Sequence, residues 1–422
     1  MLRTAFALLT LLSVPLSYSY AGDSGWAKPA SEETENGGTI LPAGYNLLAE
    51  LTSSDGTQTN LFGYSIAVSG TTVAIGATLN GTGAVYVFEK PANGWENMTQ
   101  VAKLTASDGE PDTRLGVSVA VSGDTIVAGA IGVSNSGPAY VFVEPPGGWA
   151  DMTQTAELSP TDGSEFDYFA TSVGISGDTI AVGSSIGAYV YVRPSSGWSD
   201  ATQTAKLTED TGYNFGSVVA IQGNTILADY PGSNQGLGSI CVFTKPPGGW
   251  VNTSTFAAEL TVSDAAVGSS LAIDGHTIVI GSPYALGTGQ SPPGAVYVYE
   301  EPPSGWTSAT QTAELTVAGQ PTEQLGYSVG ISGGFIIAGA PDARGGVGGA
   351  GYLFAAPPGG WVTTSTYTKR MAAGNGGLGF SAAISGSTAY LGAPLQEVGS
   401  NVDQGAAYVF GTTTANGADT SY

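Results

Sequence analysis

This chain is short of the residues that do acid–base and redox chemistry at neutral pH. Its 422 residues include one cysteine, Cys241, and one histidine, His276. A single cysteine excludes an internal disulfide and any multi-cysteine metal site. A single histidine leaves zinc-hydrolase and histidine-dependent triad chemistry without parts. Charged residues make up only 11% of the chain, against roughly 25% in ordinary soluble proteins. Basic ones are scarcest: 11 Lys and Arg face 34 Asp and Glu, a net charge of −23. Such a field repels phosphate backbones and anionic membrane surfaces, and no basic cluster offsets it. Nucleic acid is therefore excluded as a partner. No segment keeps a 3.6-residue apolar period, which argues against helices. Beyond the amino terminus no apolar run is long enough for a membrane helix.

What is abundant is glycine, 64 residues, with 23 prolines and 42% hydrophobic residues. That is ample for a core, and many tight turns with few helix-forming surfaces point to an all-β fold. At the amino terminus Arg3 precedes an apolar stretch from Ala5 to Leu16, with small residues at Ser19 and Ala21. This predicts a signal peptide over 1–21 and an exported protein: secreted, extracellular, on the cell surface or periplasmic. Residues 22–46, with Glu32, Glu33 and Glu35, read as a flexible linker, and 413–422 as a disordered tail.

From Leu48 to Phe410 the chain repeats with a period of roughly 50 residues. Successive copies end at Trp95, Trp149, Trp198, Trp250, Trp306 and Trp361, and a seventh ends at Tyr408–Phe410 without the tryptophan. Each copy holds four strand-like runs. The first resembles YSIAVS and the second TVAIGA, joined by Gly-X pairs such as Gly70-Thr71, Gly123-Asp124 and Gly275-His276 that suit two-residue hairpins. The third resembles AVYVF and the fourth TAELT, with a PPGGW-type bend between them. Four antiparallel strands per copy make a propeller blade, so 47–412 reads as a seven-bladed β-propeller. A fourth-strand motif precedes the first blade, and the last blade stops after its third strand. Leu47–Thr52 should therefore complete the last blade and close the ring.

These repeats resemble the FG-GAP repeat family, best known from the integrin α-subunit propeller, and look closest to its bacterial exported branch. The motif is carried by Phe62-Gly63, Phe215-Gly216, Leu115-Gly116 and Leu325-Gly326, and by Gly339-Ala340-Pro341 and Gly392-Ala393-Pro394. The resemblance implies a propeller for protein interaction or adhesion. Integrin-type repeats often hold calcium in a DxDxDG loop, but here the connections are tight turns such as SGDT, QGNT and DGHT. They are too short to wrap six to eight oxygens around an ion. No metal and no cofactor is expected.

The remaining features have plain structural readings. Cys241, within SICVF, is expected to be a buried thiol, and His276 an exposed turn residue. Asp55, Asp108, Asp162 and Asp264 recur at one offset, with Asp210 one place earlier; three precede glycine and read as turn formers. The tryptophans read as packing between blades, with sugar stacking as the alternative. The second-to-third and fourth-to-first connections vary most between copies, and strand alternation places both on one face. Loops on a rigid scaffold carry function. The candidate ligand-binding residues are therefore Asp112, Arg114, Asp167, Tyr168, Asp229, Tyr230, Asp342, Arg344, Glu397 and Asp403. The reading is a monomeric binding or scaffold propeller, not an enzyme, for an extracellular protein. A carbohydrate-binding propeller is the alternative, and a polysaccharide lyase or hydrolase the least favoured reading.

Overall fold

Each copy of the repeat folds as one small antiparallel sheet. The computed structural model describes residues 44–412 apart from 111, 133–136, 164–166, 210–214, 235–236, 263–267, 286–292, 319–323 and 342–347. In blade 1 the innermost strand is Phe62–Ser69, followed outward by Thr72–Ala77, Ala84–Glu89 and Ala102–Thr105. Six further sheets repeat this order, and the described residues contain no α-helix. Accordingly no helix among them is long and apolar enough to cross a membrane.

The second and third strands read as unbroken apolar runs because both of their faces are covered. On Ala84–Glu89, Tyr86 and Phe88 join a core cluster shared with blade 7, while Val85 and Val87 join one shared with blade 2. The same holds around the molecule: seven clusters each span two neighbouring blades, one for every seam of a closed seven-membered ring. Each buried Tyr or Phe contributes on the order of 1.5–3 kcal/mol, so the blades are held face to face by their alternating large and small side chains.

Two sets of glycines are required for opposite reasons. The hairpin glycines between first and second strands, such as Gly70, Gly123 and Gly177, have φ of 60°, 56° and 55°, with open space where a Cβ would be. There conformation is what demands glycine. The second-strand glycines lie in ordinary strand conformation but have no room. A Cβ on Gly76 would sit 2.0 Å from the Gly116 carbonyl oxygen, and one on Gly392 2.1 Å from that of Gly63. That carbonyl belongs to the FG pair of the next blade. It also accepts a hydrogen bond from a serine of the preceding blade: Ser65 to Gly116 at 2.7 Å, Ser328 to Gly379 at 2.8 Å, and Ser381 to Gly63 at 2.8 Å. The FG and GA halves of the repeat are thus the two sides of one contact between blades.

The ring closes as the sequence predicts. Tyr45–Thr52 pairs antiparallel with Ala406–Thr412, Tyr45 opposite Thr412 and Leu51 opposite Ala407. The PPGGW-type segment does more than bend. After Trp149, Met152–Thr153 pairs in parallel with the outer strand of the preceding blade, at Leu104 and Thr105. Asp151 and Gln154 accept hydrogen bonds from the Lys103 and Ser107 amides of that same blade, at 2.7 and 2.9 Å. Asn97 and Asn252 play the part of Asp151 toward the Glu50 and Lys206 amides, at 2.8 Å each. Each such segment latches its blade onto the one before it.

Candidate functional site

The variable loops come together on one face. The connection entering each innermost strand lies against a second-to-third loop: Leu79 N donates to the Asn60 carbonyl at 3.2 Å, Leu115 N to Thr82 at 3.1 Å, and Ser185 N to Asp167 at 2.8 Å. Thr59 N donates to Val402 at 2.9 Å, which joins blade 7 to blade 1 in the same way. Several non-glycine residues here adopt the left-handed region: Thr59, Leu61, Asp112, Arg114, Tyr168, Ala170, Gln324 and Asp403. L-residues visit that region at a cost of roughly 1–2 kcal/mol, so these loops are held in shape by the scaffold beneath them. Five exposed large apolar side chains also lie on these loops: Leu79, Tyr168, Tyr284, Leu395 and Val402.

The residues selected from sequence are spread around this face and do not converge on one centre. Asp112, Tyr168 and Glu397 are exposed, and Arg114 and Asp403 half-buried. Burial pushes the Asp403 carboxyl up from its ordinary value. Asp167 is buried, and it is its backbone carbonyl that accepts from Ser184 Oγ at 2.9 Å. Asp342 and Arg344 lie outside the described residues. Tyr230 packs edge-on against Phe215 at 5.7 Å between ring centres.

Asp229 points inward. It occupies the crowded second-strand glycine position of blade 4 and is 3% exposed, and its Oδ1 accepts the Val218 amide at 2.8 Å. Val218 in turn replaces the serine found there in other blades, so the polar group has moved from first strand to second. Burial pushes the Asp229 carboxyl up to about 7, against the opposing pull of surrounding backbone N–H groups. The nearby Cys241 is buried, as expected, and its thiol is pushed up by burial first and then by Glu259, Glu209 and Asp229.

The recurring aspartates do more than turn the chain. Asp55 Oδ1 accepts the Tyr86 hydroxyl at 2.7 Å and its other oxygen pairs with Lys103 at 2.5 Å. Asp108 accepts from Tyr140, and Asp162 from Tyr189, both at 2.9 Å, with Lys206 on Asp162 at 2.7 Å. Burial raises Asp55 and Asp162, but the lysine and tyrosine hydrogen bonds outweigh it and hold both carboxyls below the usual range. Asp210 and Asp264 lie outside the described residues. The tryptophans are 5–9% exposed and sit in the seams; Trp95 meets Tyr390 edge-on at 5.7 Å. That burial removes them as platforms for sugar rings. His276 is exposed on the opposite, tight-turn face, its Nδ1 2.7 Å from Glu301.

Sequence reasoning missed the mouth of the central channel. Directly after each FG-type pair comes one residue at the loop-face end of the innermost strand. In blades 6, 7 and 1 it is Tyr327, Phe380 and Tyr64; in blades 2 to 5 it is Val117, Thr171, Ser217 and Ser269. The three aromatic rings touch in series, Tyr327 to Phe380 at 5.0 Å and Phe380 to Tyr64 at 4.9 Å, tilted by 46° and 50°. Burial pushes both phenols up. Tyr64 and Tyr284 add to that at Tyr327, and the Arg114 charge opposes it at Tyr64. Tyr284 and Arg114 therefore lie in the neighbourhood of these rings. The signal was in the repeat alignment, as three consecutive aromatics at one offset.

The FG-GAP repeat family model matches residues 45–88, 98–142 and 152–191. No curated protein matches the chain. Among solved structures, the WD40 β-propeller domain of Doa1 is similar with a TM-score of 0.54 at 13% identity, over 88% of this chain and 98% of that one. At that identity the likeness concerns the fold alone.

Proposed function

We propose that this seven-bladed β-propeller, matched by the FG-GAP repeat model over 45–88, 98–142 and 152–191, is an exported binding module, without catalytic activity, that uses its loop face to hold a protein partner. One observation carries this reading. Five of the exposed large apolar side chains, Leu79, Tyr168, Tyr284, Leu395 and Val402, lie on loops of the face that also holds the aromatic arc. Scattered exposed apolar residues need no explanation, but a group gathered on one face is the mark of an interaction surface. The seam burial of the tryptophans favours protein over carbohydrate. The acidic field favours a partner that is neutral or basic overall.

The test compares two double variants of the full exported chain. Leu395→Ser with Tyr284→Ser alters the loop face; Asp178→Ser with His276→Ser alters the tight-turn face. Each is photo-crosslinked to surface and secreted fractions of the producing cell, and a glycan array is run in parallel. Loss of a specific crosslinked protein with the loop-face variant alone supports the proposal. Loss with the turn-face variant alone, or specific glycan capture in place of any protein, rejects it.

A further inference from the structure

The channel mouth is lopsided in size and in charge. Blades 6, 7 and 1 line their side with half-buried aromatic rings, while blades 2 to 5 place the smaller Val117, Thr171, Ser217 and Ser269 at the same position. Arg114 stands at the boundary, on the connection that enters blade 2. Its backbone is in the left-handed region, φ 54°, held where Leu115 N donates to the Thr82 carbonyl at 3.1 Å. Its Nε is buried and has no hydrogen-bond partner. Four other cations of the propeller have polar partners: Lys103 with Asp55, Lys206 with Asp162, Arg193 beside Asp124 and Asp178, and Arg370 on the Tyr352 hydroxyl. In a chain with a roughly threefold excess of carboxylates, an arginine that meets none of them among the described residues and lies near an aromatic arc is a candidate receptor.

We propose that this mouth takes one carboxylate of a partner polypeptide, an Asp or Glu side chain, on the Arg114 guanidinium. An adjoining aliphatic or aromatic side chain of the partner rests on Tyr64, Phe380 and Tyr327. The proposal rests on the loop-face reading above and narrows it to a ligand chemistry. Arginine offers a planar fork of N–H donors that matches a carboxylate. A net charge of −23 repels a polyanion such as a polyuronate over many ångströms, whereas one carboxylate on a neutral or basic segment crosses the same field at small cost. The rings are tilted against one another and half-buried, so they offer an edge for a side chain and not a flat bed for a sugar ring.

The probe is an array of capped hexapeptides, each with one Asp or Glu beside Leu, Ile or Phe in a Gly, Ser and Lys background. Asn and Gln isosteres sit alongside, and oligogalacturonate is a separate arm. The full chain is titrated with the best peptides by fluorescence anisotropy. Carboxylate peptides are expected to bind about tenfold or more tightly than their amide isosteres. Arg114→Gln should erase that ratio, Arg114→Lys should keep part of it, and Phe380→Ala should weaken both peptide classes. Urea unfolding of each variant establishes that the scaffold is intact. The proposal is overturned by equal binding of acid and amide peptides, by an Arg114→Gln protein that keeps the preference, or by oligogalacturonate binding with no peptide bound. Peptide binding that depends on Leu395 and Tyr284 but not on Arg114 overturns this inference and leaves the loop-face reading standing. Binding that tracks only the tight-turn face overturns both.

Discussion

Asp229 makes the stability of this propeller depend on pH in a window that the depressed carboxylates Asp55 and Asp162 do not share. The carboxyl is pushed up from its ordinary value to about 7 because burial disfavours its charged form more than the surrounding N–H groups favour it. The unfolded chain loses this proton near pH 4, and the folded chain keeps it until near pH 7. The folded state therefore binds more protons between those values. By linkage its stability is fully present below about pH 4 and is lost as pH rises through about 7. A shift of about three units corresponds to about 4 kcal/mol, as an upper figure for one buried group. Glu209, Glu259 and Cys241 lie around the same seam, so the isolating comparison is Asp229→Asn, which keeps an oxygen for the Val218 amide and cannot ionise.

The assay is urea unfolding followed by the fluorescence of the seam tryptophans, at pH 5, 6, 7 and 8, for the parent and Asp229→Asn. The parent should lose stability steadily from pH 5 to 7 and level off by pH 8. The variant should have a distinctly flatter profile over that range, keeping only the contribution of groups such as the raised Asp403, and be the more stable protein at pH 8. Parallel profiles for the two proteins would refute the reasoning, because they would place the titrating group elsewhere. Asp55 and Asp162 do not confuse the window. Their folded values are depressed, so their contribution is present above about pH 4 and lost only as pH falls below it.

Other perturbations separate the parts of the fold. Gly129→Ala sets a Cβ 1.9 Å from the Ala170 carbonyl oxygen, while Gly123→Ala meets open space but carries φ of 56°. The first should cost about 1–3 kcal/mol by overpacking and the second about 1 kcal/mol, read as the shift in urea midpoint. Trp149→Phe should cost far less than Trp149→Ala, about 3–5 kcal/mol for the latter, because the buried indole N–H makes no hydrogen bond that phenylalanine would forfeit. Deleting 45–52 leaves Ala406–Thr412 as an open edge; light scattering should show concentration-dependent association that the parent lacks.

Much of the architecture was legible because propeller physics is written once per blade. The Gly-X hairpins, the four strand runs and the borrowed strand at Tyr45–Thr52 follow from turn chemistry and period-two alternation within a single copy. What was not legible depends on contacts between copies. The PPGGW segment looks like a bend because Met152–Thr153 is two residues long, and its partner, Leu104–Thr105, lies a whole repeat earlier. Asp55 reads as a turn former because its partners, Tyr86 and Lys103, are 31 and 48 residues away. Asp229 reads as a ligand contact because it borders a variable loop, and no signal in one copy says that its side chain is buried.

The two kinds of departure can nevertheless be told apart, and that distinction directs attention to the channel mouth. A change that the fold requires is met by a compensating change at the place it touches. In blade 4 the serine-to-glycine contact is replaced by Val218 and Asp229 together, so that a carboxylate supplies the polar oxygen that the lost hydroxyl no longer can. This pair explains itself and needs no ligand. Tyr64, Phe380 and Tyr327 are different. The same position holds valine, threonine or serine in blades whose strands pair in the same way. The fold therefore does not demand aromatics there, and their neighbour Arg114 is left with an unbonded Nε. A departure that leaves a buried polar atom unsatisfied costs free energy in the isolated protein. Together with aromatics that the fold does not demand, that cost is what the proposed partner carboxylate would relieve at Arg114.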